Sequence, residues 1–348
     1  MKISTTRDSS GNNDKSRILL AIVGLVFFLV GRFSERSSRG VVILEQSQAQ
    51  PKQAQAQPRD RCSTKLQELE DQWNARRQAR QSYTLGQDAQ PLRHKQIKTD
   101  SNGAFDYFEP EAVCFDDERF GTSNSHATDF ERYQGAFGDG PKFLCGVDRI
   151  IQQNGGCLIY TVGTNKNQIE FEKTASLNLK CEIHTFDPTI STQQYKGNDY
   201  SKFHEWGLGE EDPEKKQISL ETVVQKLGHQ NRTVDILKMD CEGCEYQVLK
   251  DAFQAMINGK LRINQVLVQF HATGMKRKKN PNADDRIYIV DTPQDFANMK
   301  ALFQVADQAN MRVFHKERNG WTCGGYACIE YAFASNEFLR RANSHYIC

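Results

Sequence analysis

The sequence has almost no surplus of charge, with a formal net charge of +1, and no long hydrophobic run. Its 45 lysine and arginine residues balance its 44 aspartate and glutamate residues, so the composition indicates no nucleic-acid partner. An apolar run from Ile18 to Val30 would span about 20 Å as a helix, which is less than a hydrocarbon core of about 30 Å. The sequence also lacks a second C-x-x-C pair or a clear histidine pair to complete a zinc site with Cys241 and Cys244.

The apolar run has three possible interpretations: a cleaved signal peptide, a short uncleaved anchor or a buried helix. The segment that follows it, Arg32 to Arg39, lacks the small residues of a cleavage site. Short anchors also suit the thin membranes of the early secretory pathway. We predict a tail at 1–17, a transmembrane signal anchor at 18–33 and a lumenal body, as in a single-pass type II membrane protein of the Golgi or endoplasmic reticulum.

A stem at 34–104 is predicted to connect the anchor to a folded domain at 105–348. Residues 45–60 are rich in Gln, Ala and Pro, a composition typical of disordered segments. The pattern from Lys65 to Arg80 predicts a helix, and its apolar stripe is too short for a coiled coil. We interpret this helix as a solvated spacer.

The ten cysteines are expected to pair in part if the domain is lumenal. Cys157 and Cys181 begin apolar stretches and could instead be buried thiols. Cys241 and Cys244 have the spacing of a redox or zinc pair. A sequon at Asn231-Arg232-Thr233 would accept a glycan only in an exposed, lumenal loop.

From about residue 105, apolar stretches alternate with segments whose apolar residues have helical spacing, which predicts an α/β fold. Residues 276–282, rich in Lys and Asn, are predicted to form a loop that could cover the substrate. Seven strands are predicted, at 157–162, 181–186, 203–208, 234–239, 266–270, 311–315 and 326–333.

The first two predicted strands have the spacing of a nucleotide-binding βαβ unit. The first ends at Gly163-Thr164-Asn165 and the second ends at Asp187. The glycine lets the backbone approach a ligand, and the carboxylate can accept ribose hydroxyl protons. Asp187 could instead be a helix cap or turn residue ahead of Pro188. The spacing favours Gly163, Thr164, Asn165 and Asp187 as cofactor-binding residues.

The strand at 234–239 runs directly into an acidic turn that contains Asp240 and Glu242. Such a strand end lies at the mouth where α/β folds bind ligands, and His271 ends the next strand. These three residues are the predicted catalytic groups. Each could act as a general base for a hydroxyl acceptor, or together they could bind a divalent metal. An ordinary solvated acidic turn is the alternative, and Lys238 is expected to form a structural ion pair.

The acidic turn resembles the D-x-x-K-x-D-x-E-G-x-E signature of FkbM-type S-adenosylmethionine-dependent methyltransferases. The matching residues are Asp235, Lys238, Asp240, Glu242, Gly243 and Glu245. The blocks at 157–163, 184–189 and 240–243 also resemble the methyltransferase-like protein 24 group in order and spacing. One departure is Thr161, where many methyltransferases have an acid.

The resemblance covers about residues 105–340 and implies a fold and a reaction class. The fold would be Rossmann-like, as in class I methyltransferases, with a seven-stranded, mostly parallel sheet and helices on both faces. The cofactor would be S-adenosylmethionine, with a divalent metal as an option. The reaction would be O-methylation of a small-molecule or glycan hydroxyl.

Two other classes of protein remain open. A different Rossmann-like enzyme, acting on a nucleotide sugar or dinucleotide, would have a richer glycine loop than Gly163 supplies. A membrane-tethered binding protein that kept the fold without the chemistry would tolerate the loss of Asp240.

Overall fold

The computed structural model describes residues 58–82, 103–121, 141–153, 156–164, 169–273, 276–279, 286–289, 292–318 and 327–347. The predicted tail, the anchor at 18–33 and Asn165 lie outside these ranges. Within them, no helix combines the length and the apolar character needed to cross a membrane.

Helices and strands alternate along most of the described chain. The helices are α1 (Pro58–Gln81), α2 (Gly103–Asp106), α3 (Val147–Ile151), α4 (Glu170–Thr174, continued by a π-helical turn at Ala175–Leu179), α5 (Leu220–Lys226), α6 (Glu245–Ile257), α7 (Thr292–Gln308) and α8 (Asn336–Ile347). The strands are β1 (Asp117–Phe120), β2 (Lys142–Cys145), β3 (Leu158–Val162), β4 (Glu182–Phe186), β5 (Lys202–His204), β6 (Gly207–Leu208), β7 (Gln217–Ile218), β8 (Val234–Met239), β9 (Ile263–His271), β10 (Lys276–Lys279), β11 (Arg286–Ile289), β12 (Met311–Arg318) and β13 (Cys328–Ser335).

Seven strands form one sheet in the spatial order β12-β13-β9-β8-β3-β4-β5. Only β13 runs antiparallel to its two neighbours, and the other pairings are parallel. The predicted seven-stranded, mostly parallel Rossmann-like sheet is therefore confirmed. Its order reverses between β3 and β8, because the chain leaves β3 toward β4 on one side and later enters β8 on the other. Open α/β sheets bind ligands outside the carboxyl ends of such a pair.

The two faces of the sheet are covered by two apolar clusters, which explains the continuous apolar runs in the sequence. Every residue of β8 is buried, as expected for a central parallel strand with layers on both faces. One cluster includes Leu237 and Phe253, and the other includes Ile236 and Trp73. This packing fixes the strand ends that carry the predicted site.

Helix α1 packs on the folded body, so its interpretation as a solvated spacer is wrong. The Trp73 side chain is 2% exposed. The Arg80 guanidinium lies 2.6 Å from the Glu111 carboxylate and 2.6 Å from the Asp307 carboxylate. The helix is so polar that its single buried stripe leaves a weak signal in the sequence. The folded body therefore begins before residue 105.

Two predicted elements differ in detail from the structure. The strand predicted at 203–208 divides into β5 and β6 because the chain leaves the main sheet after His204, and β6 pairs with β7 instead. The loop predicted at 276–282 contains β10, which pairs with β11 as an antiparallel ribbon outside the main sheet. Such a ribbon needs no continuous apolar run, so the sequence pattern did not reveal it.

The sequence did not decide whether the cysteines are free thiols or disulfides, and the structure shows disulfides. Cys157 and Cys181 precede two adjacent strands, and their Cα atoms lie 4.8 Å apart in a disulfide. The interpretation as buried thiols is therefore wrong. Among the described residues no cysteine is free. The described disulfide pairs are Cys114–Cys145, Cys157–Cys181 and Cys241–Cys244.

Candidate active site

The loops that follow β3 and β8 touch at the point where the strand order reverses. Gly163 has a φ of +71°, and a Cβ there would lie 2.0 Å from the carbonyl oxygen of Asp240 and 2.7 Å from the Cα of Cys241. The backbone N–H of Gly163 donates to the Phe186 carbonyl at 3.0 Å, and the backbone N–H of Asp240 donates to the Val162 carbonyl at 2.9 Å. Only glycine permits this contact between the two loops.

Asp187 lies at the end of β4 and holds the loop after β3. Its side chain is buried, and Oδ2 accepts a hydrogen bond from the backbone N–H of Thr164 at 3.0 Å. Oδ1 accepts from the backbone N–H of Thr189 at 2.7 Å and from its hydroxyl at 2.5 Å. The interpretation of Asp187 as a turn residue is confirmed. A carboxylate has about four acceptor positions, so these contacts leave capacity for one ribose hydroxyl, and that role stays a prediction.

Asp240 lies between an imidazole and a buried ammonium. Its Oδ1 is 3.8 Å from Nε2 of His271 and accepts a hydrogen bond from the Gln269 amide at 3.3 Å. Its Oδ2 is 3.7 Å from Nζ of Lys142, which also pairs with Glu330 at 2.7 Å. The predicted neighbours Asp240 and His271 are thus brought together, and Lys142 and Gln269 complete a polar cluster that the sequence did not reveal.

Glu245 begins α6 and joins the acidic turn to β9. Its side chain is fully buried. Its carboxylate accepts hydrogen bonds from the backbone N–H groups of Cys241 at 3.1 Å and Gly243 at 2.9 Å. Oε1 also lies 2.8 Å from Nδ1 of His271. In the sequence, Glu245 is only the last matching residue of the signature; its contact with His271 depends on β9 lying next to β8.

Two opposing effects set the proton affinity of His271. Burial disfavours the charged imidazolium, but the hydrogen bond to Glu245 and the negative charges of Glu245, Asp240 and Glu242 outweigh burial and raise its pKa above 6.5. An ionised carboxylate only accepts hydrogen bonds, so Nδ1 carries the hydrogen that faces Glu245. Nε2 then accepts a hydrogen bond from the Gln269 amide at 3.2 Å and faces Asp240 at 3.8 Å. It can take up a proton when an acceptor hydroxyl replaces that amide.

Glu242 lies apart from this cluster. It is exposed, with a φ of +52°, on the outer side of the acidic turn, and its catalytic role stays a prediction. Among the described residues, Asp240, Glu242 and His271 do not form a group whose ligand atoms are close enough to share an ion. The predicted metal alternative therefore finds no suitable geometry here, and we derive no chemistry from it.

Two other residues of the signature have structural roles. Asp235, at the amino end of β8, accepts hydrogen bonds from the Leu158 backbone N–H at 3.0 Å and the Asn264 amide at 2.9 Å. It therefore ties β8 to both neighbouring strands. Nζ of Lys238 lies 3.9 Å from Oε1 of the buried Glu172, which confirms the predicted ion pair.

The sequence matches a family described as a methyltransferase domain over residues 66–335. The human "probable methyltransferase-like protein 24" is 25% identical over 176 residues, which cover 48% of this chain and 44% of that protein. The chain thus matches less than half the length of this curated relative.

Solved structures resemble parts of the chain at low identity. The Burkholderia thailandensis 1,6-didemethyltoxoflavin-N1-methyltransferase, solved with S-adenosylhomocysteine, is 12% identical and covers 60% of this chain and 81% of its own, with a TM-score of 0.29. The methyltransferase domain of bacterial CtHen1-C is also 12% identical and covers 54% and 94%, with a TM-score of 0.31. With TM-scores this low, the two structures support no conclusion about the site or the acceptor.

The family match includes every strand of the main sheet, the reversal point and the acidic turn. It does not distinguish the FkbM subtype. The predicted methyltransferase class is confirmed at the level of the family. The chain belongs to the family of methyltransferase domains.

Proposed function

We propose that this chain transfers a methyl group from S-adenosylmethionine to a hydroxyl acceptor, with His271 as the general base. One observation carries the proposal: His271 is held by the buried carboxylate of Glu245 while its other nitrogen faces Asp240. This arrangement lies at the end of β9, next to the point where the strand order reverses. Small-molecule and glycan hydroxyls are the acceptor classes.

A hydroxyl is a poor nucleophile until its proton is removed. When bound, S-adenosylmethionine supplies an electrophilic methyl group and leaves as S-adenosylhomocysteine. Nε2 of His271 accepts the hydroxyl proton, and Glu245 stabilises the imidazolium that results. The Gln269 amide lies 3.3 Å from the Asp240 carboxylate and 3.2 Å from Nε2, so it holds these two groups side by side. Asp240 orients the acceptor oxygen. Lys142 keeps the Asp240 carboxylate in place from the opposite side.

Gly163, Thr164 and Asp187 are the proposed donor-binding residues among those the structure describes. Asn165 is proposed with them on its place in the sequence. Asp187→Ala should weaken S-adenosylmethionine binding by about 1 to 3 kcal/mol, because it removes charge-assisted hydrogen bonds and frees the Thr164 loop. Isothermal titration calorimetry measures this loss. Asp251→Ala, at an exposed position on α6, is a control that should bind normally, and unchanged affinity in folded Asp187→Ala would remove Asp187 from the donor site.

The pH profile tests the pairing of Glu245 with His271. A general base acts in its neutral form, so the single-turnover rate should rise with pH and reach half of its maximum above pH 6.5, in line with the raised pKa. Glu245→Gln removes the hydrogen bond and charge that favour the imidazolium. The half-maximal point should therefore move to lower pH.

A residue with a purely structural role would change the rate without moving this midpoint. Glu221→Gln is the matched control, because the ion pair of Glu221 with Lys260 is exposed to solvent. A Glu245→Gln profile with the wild-type midpoint would contradict the proposed role of His271 as the base.

We propose further that residues 18–33 anchor the chain and place its body in the lumen of the Golgi or endoplasmic reticulum. The three described disulfides support an oxidising compartment. The sequon is also accessible, since Asn231 is exposed in the turn before β8. It lies at the amino end of that strand, away from the proposed active site.

Asn231 should carry an N-linked glycan when the full-length chain is made in secretory cells. Peptide-N-glycosidase should increase its gel mobility, Asn231→Gln should abolish this shift, and Thr233→Ser should preserve it because serine also completes the sequon. A body that proteases digest in intact microsomes would contradict the lumenal placement. A mature N-terminus after residue 33 would show that the anchor is cleaved.

A further inference from the structure

A second cluster of ionisable groups lies at the amino end of β4, at the opposite edge of the sheet from the proposed active site. Glu182, His184 and His229 bring three potential ligand atoms within 4.8 Å of one another. Nε2 of His184 is 3.2 Å from Oε1 of Glu182, and Nε2 of His229 is 4.0 Å from Oε2. The two imidazoles therefore face a single carboxylate.

The other nitrogen of each ring is already held by a hydrogen-bonding partner. Nδ1 of His184 is 2.8 Å from Nε2 of His204, and Nδ1 of His229 is 2.7 Å from the hydroxyl of Tyr160. Metal-binding histidines usually have such a partner, which fixes the ring orientation and the tautomer. Both histidine side chains are buried, so the positions of their Nε2 atoms are set by packing.

A metal ion needs the lone pair of Nε2 on each imidazole. Nε2 of His184 lies 3.2 Å from the Glu182 carboxylate, and an ionised carboxylate only accepts hydrogen bonds, so this nitrogen carries a hydrogen in the structure. An ion that binds there takes the place of this hydrogen, which moves to Nδ1 and is donated to Nε2 of His204. Nε2 of His229 lies farther from the same carboxylate, at 4.0 Å.

Lys202 and Arg232 compete with any metal for Glu182. Nζ of Lys202 lies 2.5 Å from Oε1 of Glu182, and Arg232 contacts Oε2. Both are surface side chains, with the Lys202 side chain 66% exposed and that of Arg232 33% exposed. They can therefore move into solvent at little cost when another cation takes their place.

We propose that Glu182, His184 and His229 bind one divalent transition-metal ion of the zinc type. Two imidazoles and one carboxylate suit Zn²⁺ or Co²⁺ better than Mg²⁺ or Ca²⁺, which prefer oxygen ligands. Three protein ligands leave a position open to water at the exposed side of Glu182. The ion would tie β4 to the turn between α5 and β8, and so stabilise this edge of the sheet.

The test is a Co²⁺ titration of the purified, metal-free full-length chain, followed by visible absorption and calorimetry. We expect one equivalent to bind, and Zn²⁺ to displace it. His229→Gln should weaken binding more than about 100-fold, since loss of a ligand should cost at least as much as loss of an outer contact. His345→Gln, at an exposed position on α8, is the control and should bind as the wild type does.

A second variant keeps the test informative if His229→Gln fails to fold. Lys202→Ala removes an exposed cation that competes for Glu182, so it should tighten Co²⁺ binding about 3- to 10-fold. If the cluster is only a network of ion pairs, Lys202→Ala leaves Co²⁺ affinity unchanged. That result, or wild-type binding no stronger than that of folded His229→Gln, would overturn the proposal.

Discussion

His271→Ala should slow single-turnover methyl transfer by about 100- to 10,000-fold, the usual contribution of a positioned general base. Donor binding should change little, because the proposed donor residues Gly163 and Asp187 lie on other loops. The measurement is a single-turnover assay with an authentic hydroxyl acceptor, together with calorimetry for S-adenosylmethionine. This combination separates loss of chemistry from loss of cofactor binding.

Variants of the two acidic residues in the turn before α6 are measured in the same assay. Asp240→Asn removes the carboxylate that faces Nε2 and should also slow transfer, whereas Glu242→Gln tests an exposed group outside the cluster. His345→Ala is the matched control on an exposed helix position. Wild-type rates for His271→Ala, Asp240→Asn and Glu242→Gln would reject the site. A reaction that only a chelator slows would favour the metal alternative.

The strands of this domain were predictable because the main sheet is buried on both faces. Strands such as β8 have continuous apolar runs. The residues that come directly after such a run in the sequence lie at the carboxyl end of the strand. Asp187, Asp240 and His271 could therefore be placed at one edge of the sheet from the sequence. The structure adds that the strand order reverses between β3 and β8 and that the loops after these two strands touch.

The partners within the site were not predictable in the same way. Lys142 lies on β2, outside the main sheet, and pairs with Glu330 of β13. Glu330 lies opposite Gln269 only because β13 pairs with β9. These contacts join residues far apart in the sequence, and no local pattern indicates them. The helix from Lys65 to Arg80 was predicted, but its packing on the body was not, since the buried Arg80 finds its acidic partners on two distant segments.

Gly163→Ala should be among the most destabilising single substitutions in the domain, at about 3 to 5 kcal/mol. The added Cβ would lie 2.0 Å from the carbonyl oxygen of Asp240, a position that backbone atoms cannot share without moving. The positive φ of Gly163 adds a further cost for any residue with a side chain. Urea denaturation measures the free energy of unfolding directly.

Gly228→Ala separates these two costs. Gly228 has a φ of +73°, nearly the value at Gly163, but a Cβ there meets nothing within 4 Å. Its alanine variant should lose about 1 to 2 kcal/mol of stability, the cost of the left-handed backbone conformation alone. Equal losses at the two positions would show that the loops after β3 and β8 can separate freely. A larger loss at Gly163, accompanied by weaker binding of S-adenosylmethionine, would show that their contact shapes both the fold and the donor site.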